Sequence, residues 1–170
     1  MFGPESSGKS TLSQKLSDHY SVPNIPEFAR EYLQALWDAE KLICRPKDLL
    51  PIAAGQMKLE NEAAKNEAKL LFCDTDLLTT KVYSEAYYDG WCPPLLEKYA
   101  LRNKYDLYLL TYIDTPWQAD DLRDRPERRE EMFTHFQKAL EDNNRPYIVL
   151  KGSIEERLAQ ATKAINLLLD

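Results

Sequence analysis

Gly3-Pro4-Glu5-Ser6-Ser7-Gly8-Lys9-Ser10-Thr11 satisfies the pattern GxxxxGK[ST] in full, at Gly3, Gly8, Lys9 and Ser10. Glycines admit backbone conformations that aim successive N–H groups inward, at phosphate oxygens. A helix that starts where the loop ends turns its positive dipole end toward the same oxygens. Lys9 then reaches the β- and γ-phosphates of a nucleotide, and the Ser10 hydroxyl reaches Mg2+. The stretch therefore predicts a phosphate cradle formed by Gly3, Glu5, Ser6, Ser7, Gly8, Lys9, Ser10 and Thr11. The competing reading is a Gly/Ser turn before a helix, and the rest of the chain decides between them.

Beyond the loop, residues 10–20 predict a helix with Leu12 and Leu16 four apart on one face. The proline-rich run 21–26 leaves room for a short extended piece only. Residues 27–42 read as a helix, Pro46 and Pro51 interrupt the pattern, and 52–69 read as another helix. Leu70-Leu71-Phe72-Cys73 is a short apolar run that stops at Asp74, as a buried parallel strand does. A helix over 78–88, a turn over 89–94, a strand over 107–113, a charged helix over 127–141, a strand over 147–150 and an amphipathic helix over 154–168 follow. Strands that alternate with helices predict an α/β fold, a three-layer P-loop NTPase domain with a mainly parallel sheet. No repeat or linker divides it, so residues 1–170 form a single domain. Only Met1 and Phe2 precede Gly3, where a buried strand ordinarily leads into such a loop. The expectation is that the first strand is truncated and the natural chain extends upstream.

Composition narrows the function classes. The 170 residues are 44% hydrophobic and 29% charged, with net charge −6, an ordinary soluble balance. That acidity argues against a nucleic-acid surface, which needs clustered Lys and Arg. No apolar run approaches the roughly 18 residues of a membrane span, so no membrane partner is expected. Cys44, Cys73 and Cys92 are odd in number and widely spaced, which fits reduced thiols and a cytoplasmic location. His19 and His135 read as surface residues.

A carboxylate must help hold the magnesium, and Asp74, at the end of an apolar strand, is placed at the ligand edge of a parallel sheet. Asp76 stands on the same edge. Three function classes share such a cradle. A regulatory GTPase needs Asn-Lys-x-Asp after a strand; Asn103-Lys104-Tyr105-Asp106 has the letters but precedes one, and no switch motif follows Asp74. A motor ATPase ordinarily carries more chain than this. A small-molecule kinase fits the length and needs a cationic lid, which Arg123, Arg125, Arg128 and Arg129 can supply.

The loop, then Pro26-Glu27-Phe28-Ala29-Arg30-Glu31, Asp74-Thr75-Asp76 with Thr79-Thr80, and Trp117 through Arg123 occur in one order. That set resembles the ribosylnicotinamide kinase domain of NadR-type NAD-salvage proteins, over nearly the whole chain. The resemblance implies a nucleoside-kinase-like fold with a lid, and transfer of phosphate from ATP, with Mg2+, to nicotinamide riboside. It implies catalytic roles for Lys9, Glu27, Asp76 and Arg123, with Arg123 and Arg125 on the nucleotide and Ser10 and Asp74 on the metal. Glu27, Arg30, Asp76, Tyr87 and Trp117 become candidate substrate contacts, and Tyr88, Asp89 and Trp91 could join them, because a pyridinium cation favours aromatic faces and carboxylates. Either Glu27 or Asp76 could accept the ribose 5′-hydroxyl proton. Members of the family are often fused to an adenylyltransferase domain. Open alternatives are another nucleoside or nucleotide kinase, or a regulatory nucleotide-binding ATPase.

Overall fold

A computed structural model describes every residue except Glu67, Asp124, Arg125 and Asp170. Strand β1 (Asn24–Ile25) pairs in parallel with β2 (Phe72–Cys73), and β3 (Tyr108–Thr111) pairs in parallel with β4 (Tyr147–Leu150). The first residues of the chain run between the two pairs. The Met1 amine donates to Cys73 O, Phe2 N donates to Leu109 O at 2.9 Å, and Thr111 N donates to Phe2 O at 2.9 Å. Phe2 forms a parallel bridge with Leu110. All strands thus run one way, and the loop after Phe2 emerges at the same edge as the end of β3.

Helices cover both faces, because each central strand is apolar on both sides. On one face Leu12 and Leu16 of α1 (Lys9–Tyr20) and Ala161 and Ile165 of α7 (Ile154–Leu169) pack on Phe72, Leu109 and Leu150. On the other, Leu78 and Val82 of α4 (Leu77–Tyr87) and Met132, Phe136 and Leu140 of α6 (Arg129–Asp142) pack on Phe2, Tyr108 and Leu110. Leu109 and Leu110 point to opposite faces, as strand pleating dictates. The expected three-layer α/β fold with parallel strands is what the chain adopts.

A helical flank extends the second layer. Leu49 and Ala53 of α3 (Leu49–Ala64) and Leu96 and Ala100 of α5 (Pro94–Arg102) close around Leu77. Helix α2 (Phe28–Glu40) has no fully buried residue. It is seated at its first residue, where the Phe28 ring lies on Gly55 so closely that a Cβ there would stand 2.1 Å from it. Phe28 N also donates to Gln56 Oε1 at 3.0 Å. Gly55→Ala is therefore expected to displace the start of α2, at a cost of about 1–3 kcal/mol for overpacking. Thermal unfolding measures this; an unchanged midpoint would mean the ring moves aside freely.

Several boundaries differ from those expected. Pro51 does not delay α3, because a proline in the first helical turn removes an N–H that has no intrahelical partner anyway. Helix α5 begins at Pro94, the last residue of the turn expected over 89–94, where no helix was expected. The strand expected over 70–73 is ordered as a strand only at Phe72–Cys73, and that over 107–113 only at Tyr108–Thr111. Asn103 follows α5 and precedes β3, so Asn103–Asp106 sits at the sheet edge opposite the loop. His19 and His135 are exposed.

The three cysteines are free and half-buried. Burial pushes the Cys73 thiol up to about 12 and the Cys92 thiol up to about 11, and it raises Cys44 as well.

Candidate active site

The phosphate loop takes the conformation its glycines permit. Gly3, Ser6 and Gly8 all have positive φ, at 132°, 54° and 84°, and Gly8 immediately precedes α1. Gly3 has no substitute, since a Cβ there would stand 2.8 Å from Thr111 Oγ1 and 2.9 Å from Thr111 O. Ser7 Oγ pairs with Thr111 Oγ1 at 2.6 Å and donates to Pro4 O at 2.7 Å. Lys9 is buried and lies along the loop, donating to Gly3 O at 2.9 Å and Pro4 O at 2.7 Å. Burial lowers the Lys9 ammonium below its usual range, while the carboxylates of Glu27, Asp74 and Glu5 work against that shift.

Asp74 follows β2 and is buried. Burial raises its carboxyl, opposed by the Ser10 hydroxyl that faces it and by Lys9. Its Oδ1 has no hydrogen-bond partner among the described residues. A buried carboxylate oxygen left in that state is costly unless a cation completes it, and Ser10 supplies a hydroxyl beside it. The pair fits Mg2+, which takes one or two protein oxygens and fills its remaining positions with water and phosphate. When bound, the ion neutralises charge building up on the transferring phosphate.

Thr75, next in the chain, has φ 132° although it is β-branched. Strain of that kind collects at functional sites, and here it turns two successive acids in different directions. Asp76 points into the fold, where it caps α4. Its Oδ1 accepts from Thr79 N and Thr79 Oγ1, both at 2.9 Å, and its Oδ2 accepts from Tyr108 Oη at 2.8 Å. Both oxygens are engaged.

Glu27 immediately precedes α2 and leans toward the loop. Burial raises its carboxyl, Lys9 pulls it back, Asp74 raises it further, and Arg30 and Arg123 lower it. Glu27 thus lies within reach of the charges of Lys9, Arg30 and Arg123. Arg30 pairs with Asp120, which Arg123 Nε also meets at 3.2 Å. Gln34 Nε2 donates to Asp121 at 3.3 Å. Segment 117–123 is thus clipped onto α2, and the Arg123 charge falls on both Lys9 and Glu27. Arg125 lies outside the described residues.

A small pocket of about 10 Å³ adjoins the loop, lined by Pro4, Glu5, Tyr83, Tyr87, Trp117, Arg129 and Met132. The Arg129 guanidinium stands 5.8 Å from the Trp117 ring. Tyr87 and Trp117, both candidate substrate contacts, line the same pocket. Tyr88 and Trp91 are not among the lining residues: they stack on each other, and Tyr88 Oη donates to Cys44 O at 2.9 Å. Two contributors escaped the sequence reading. Tyr83 lies inside the helix expected over 78–88 and carries no motif of its own. Arg157, buried in α7, donates to Ser7 O at 2.6 Å, and its one sequence signal is a charge four residues before the buried Ala161.

Known proteins agree with this construction. The sequence profile of the AAA domain family matches residues 1–157. The trifunctional NAD biosynthesis/regulator protein NadR of Escherichia coli (strain K12) is 31% identical over 150 residues, covering 87% of this chain and 36% of the relative. Its counterpart in Salmonella typhimurium (strain LT2) is 32% identical over 123 residues, 72% of this chain and 30% of the relative. The chain thus spans about a third of the length of these curated relatives. Among solved structures, NadR protein in complex with NR superposes with TM-score 0.75 at 23% identity, over 96% of this chain and 49% of that one. NadR protein in complex with NAD and AMP-PNP gives TM-score 0.70 at 24% identity, over 89% of this chain and 43% of that one. Both likenesses are likenesses of fold. With a complete phosphate loop and a family profile that fits nearly end to end, the chain belongs to the AAA domain family.

Proposed function

We propose that the chain is an ATP-dependent small-molecule kinase that phosphorylates the 5′-hydroxyl of nicotinamide riboside, giving nicotinamide mononucleotide. The observation that carries the reading is Glu27, half-buried at the start of α2 and facing Lys9 of the phosphate loop, whose ammonium lowers its carboxyl against the effect of burial. In the reaction the ribose 5′-oxygen bonds to the γ-phosphorus, the bond to the β–γ bridging oxygen breaks, ADP leaves, and the hydroxyl proton passes to Glu27. Lys9 and Arg123 stabilise charge on the transferring oxygens. Ser10 and Asp74 hold Mg2+, while Asp76 keeps α4 in register.

Glu5, Tyr83, Tyr87 and Trp117 line one small pocket of about 10 Å³, so a cationic acceptor ring would meet π-faces and a carboxylate there once the pocket widens. Likeness to NadR, solved in one case with NR and in another with AMP-PNP, supports the same pair of ligands. Trifunctional relatives, of which the match covers 36%, support a neighbouring adenylyltransferase domain in the natural protein. Among the described residues no helix is long and apolar enough to cross a membrane, and the free thiols fit a cytoplasmic setting.

The test is a panel of nucleosides and nucleotides incubated with MgATP, reading ADP release and product mass. Nicotinamide riboside is expected to give the highest kcat/KM. A higher value for an uncharged nucleoside sinks the assignment of acceptor, and hydrolysis indifferent to every acceptor sinks the kinase itself.

A further inference from the structure

The back of the phosphate loop is held as firmly as its front is open. Ser6 O accepts from Thr115 Oγ1 at 2.8 Å and from Arg129 Nη2 at 3.1 Å. Ser7 O accepts from Arg157 Nη1 at 2.6 Å. Arg157 is 1% exposed. Its remaining N–H groups reach Gly152 O and Tyr112 O, both at 3.0 Å, and the Asp114 carboxylate. Asp114 in turn accepts from Gly152 N at 2.7 Å. Arg157 therefore ties the loop to the ends of both β3 and β4.

A peptide unit is planar and trans, so its C=O and the following N–H point in opposite directions. Donors fixed on Ser6 O and Ser7 O consequently aim the amides of Ser7 and Gly8 away from α7 and the Thr115 segment, toward the concave side of the loop. Ser6, in the left-handed region at φ 54°, is not a residue that holds this conformation unaided. We infer that Thr115 and Arg157, with Arg129, are positioning residues that preset the phosphate-binding amides of the loop before nucleotide arrives. They act through the peptide units of Ser6 and Ser7, whose carbonyls they hold. Such pre-ordering raises affinity by removing the entropy otherwise lost when a mobile loop closes on its ligand. The inference rests on the nucleotide reading given above.

Thr115 is the cleanest place to test it, since its hydroxyl donates to Ser6 O and takes besides only a long 3.4 Å contact from Arg129 Nη2, whereas Arg129 also lines the aromatic pocket. Titration calorimetry on the 170-residue chain compares wild type with Thr115→Val, Thr115→Ser and Arg157→Lys, using MgATP and nicotinamide riboside separately. Losing one such hydrogen bond predicts MgATP binding weaker by about three- to tenfold in Thr115→Val. Thr115→Ser should bind as wild type, and the riboside affinity should not move in either. Arg157→Lys should lose about tenfold or more for MgATP, because an ammonium cannot reach the same fixed set of acceptors. MgATP affinity unchanged in Thr115→Val, an equal loss for both ligands, or no recovery in Thr115→Ser overturns the inference. A wild-type chain that fails to bind MgATP at all overturns the nucleotide reading instead, and is told apart by needing no variant.

Discussion

Lys9→Ala is expected to lower kcat by about 10²–10³-fold or more, the scale of losing one preorganised charge donor to a transition state. The ammonium is the single cation inside the loop itself, held at 2.9 Å and 2.7 Å from Gly3 O and Pro4 O. A small rotation carries it from those carbonyls onto phosphate oxygens. Its loss should not unfold the chain, since burial already disfavours the charged form of Lys9 and alanine relieves that cost. A melting midpoint near wild type with phosphoryl transfer lost is therefore the expected pair of results. Transfer within tenfold of wild type would show that the loop does not bind the reacting phosphates.

Glu27→Gln should cost about 10²-fold in kcat, near the lower end of general-base effects, because phosphoryl transfer needs little proton removal early. The isostere keeps the shape of the site, so MgATP affinity should hold. The pH dependence gives the sharper reading. A base works only when ionised, and burial raises Glu27 above the ordinary glutamate value of about 4.3. Activity is then full at neutral pH and falls as pH drops through that raised value. The groups facing Glu27 are Lys9 from α1, Asp74 beyond β2, Arg30 from α2 and Arg123 from the clipped segment. Of these only Asp74 also titrates in the acid range, and it too is raised. In kcat/KM, which reports the free enzyme, Glu27→Gln should remove the acid limb. If the limb persists unchanged it belongs to Asp74, and Glu27 is not the base. Asp76→Asn serves as the contrast: with both carboxylate oxygens occupied by Thr79 and Tyr108, it should lower the melting midpoint more than kcat.

The sequence was most legible where chemistry is local. The loop and the helix after it depend on neighbours a few residues apart, so Gly3 to Thr11 announced both. Strand β4 matched its four apolar residues. Helix α5 was hidden because Pro93-Pro94 looks like a stop, although proline is equally a start. Its burial rests on two residues, Leu96 and Ala100. Roles that depend on long reach stayed invisible. Nothing near Gln56 says that it caps Phe28 N from another helix, and nothing near Arg157 says that it grips Ser7, 150 residues away. Asp74 and Asp76 both read as site carboxylates, Asp74 for the metal and Asp76 for catalysis or substrate. What separates them is the φ of the threonine between them, a quantity no residue pattern encodes.

The half-buried thiols have a practical consequence. With the Cys73 thiol pushed up to about 12 and that of Cys92 up to about 11, almost no thiolate exists near pH 8 while the chain is folded. An alkylating reagent reacts with thiolate, so modification must await local opening, which restores an ordinary thiol. Cys73 directly precedes Asp74. Its labelling rate is thus a built-in clock for how often β2 comes apart beside the metal carboxylate, readable without any introduced probe.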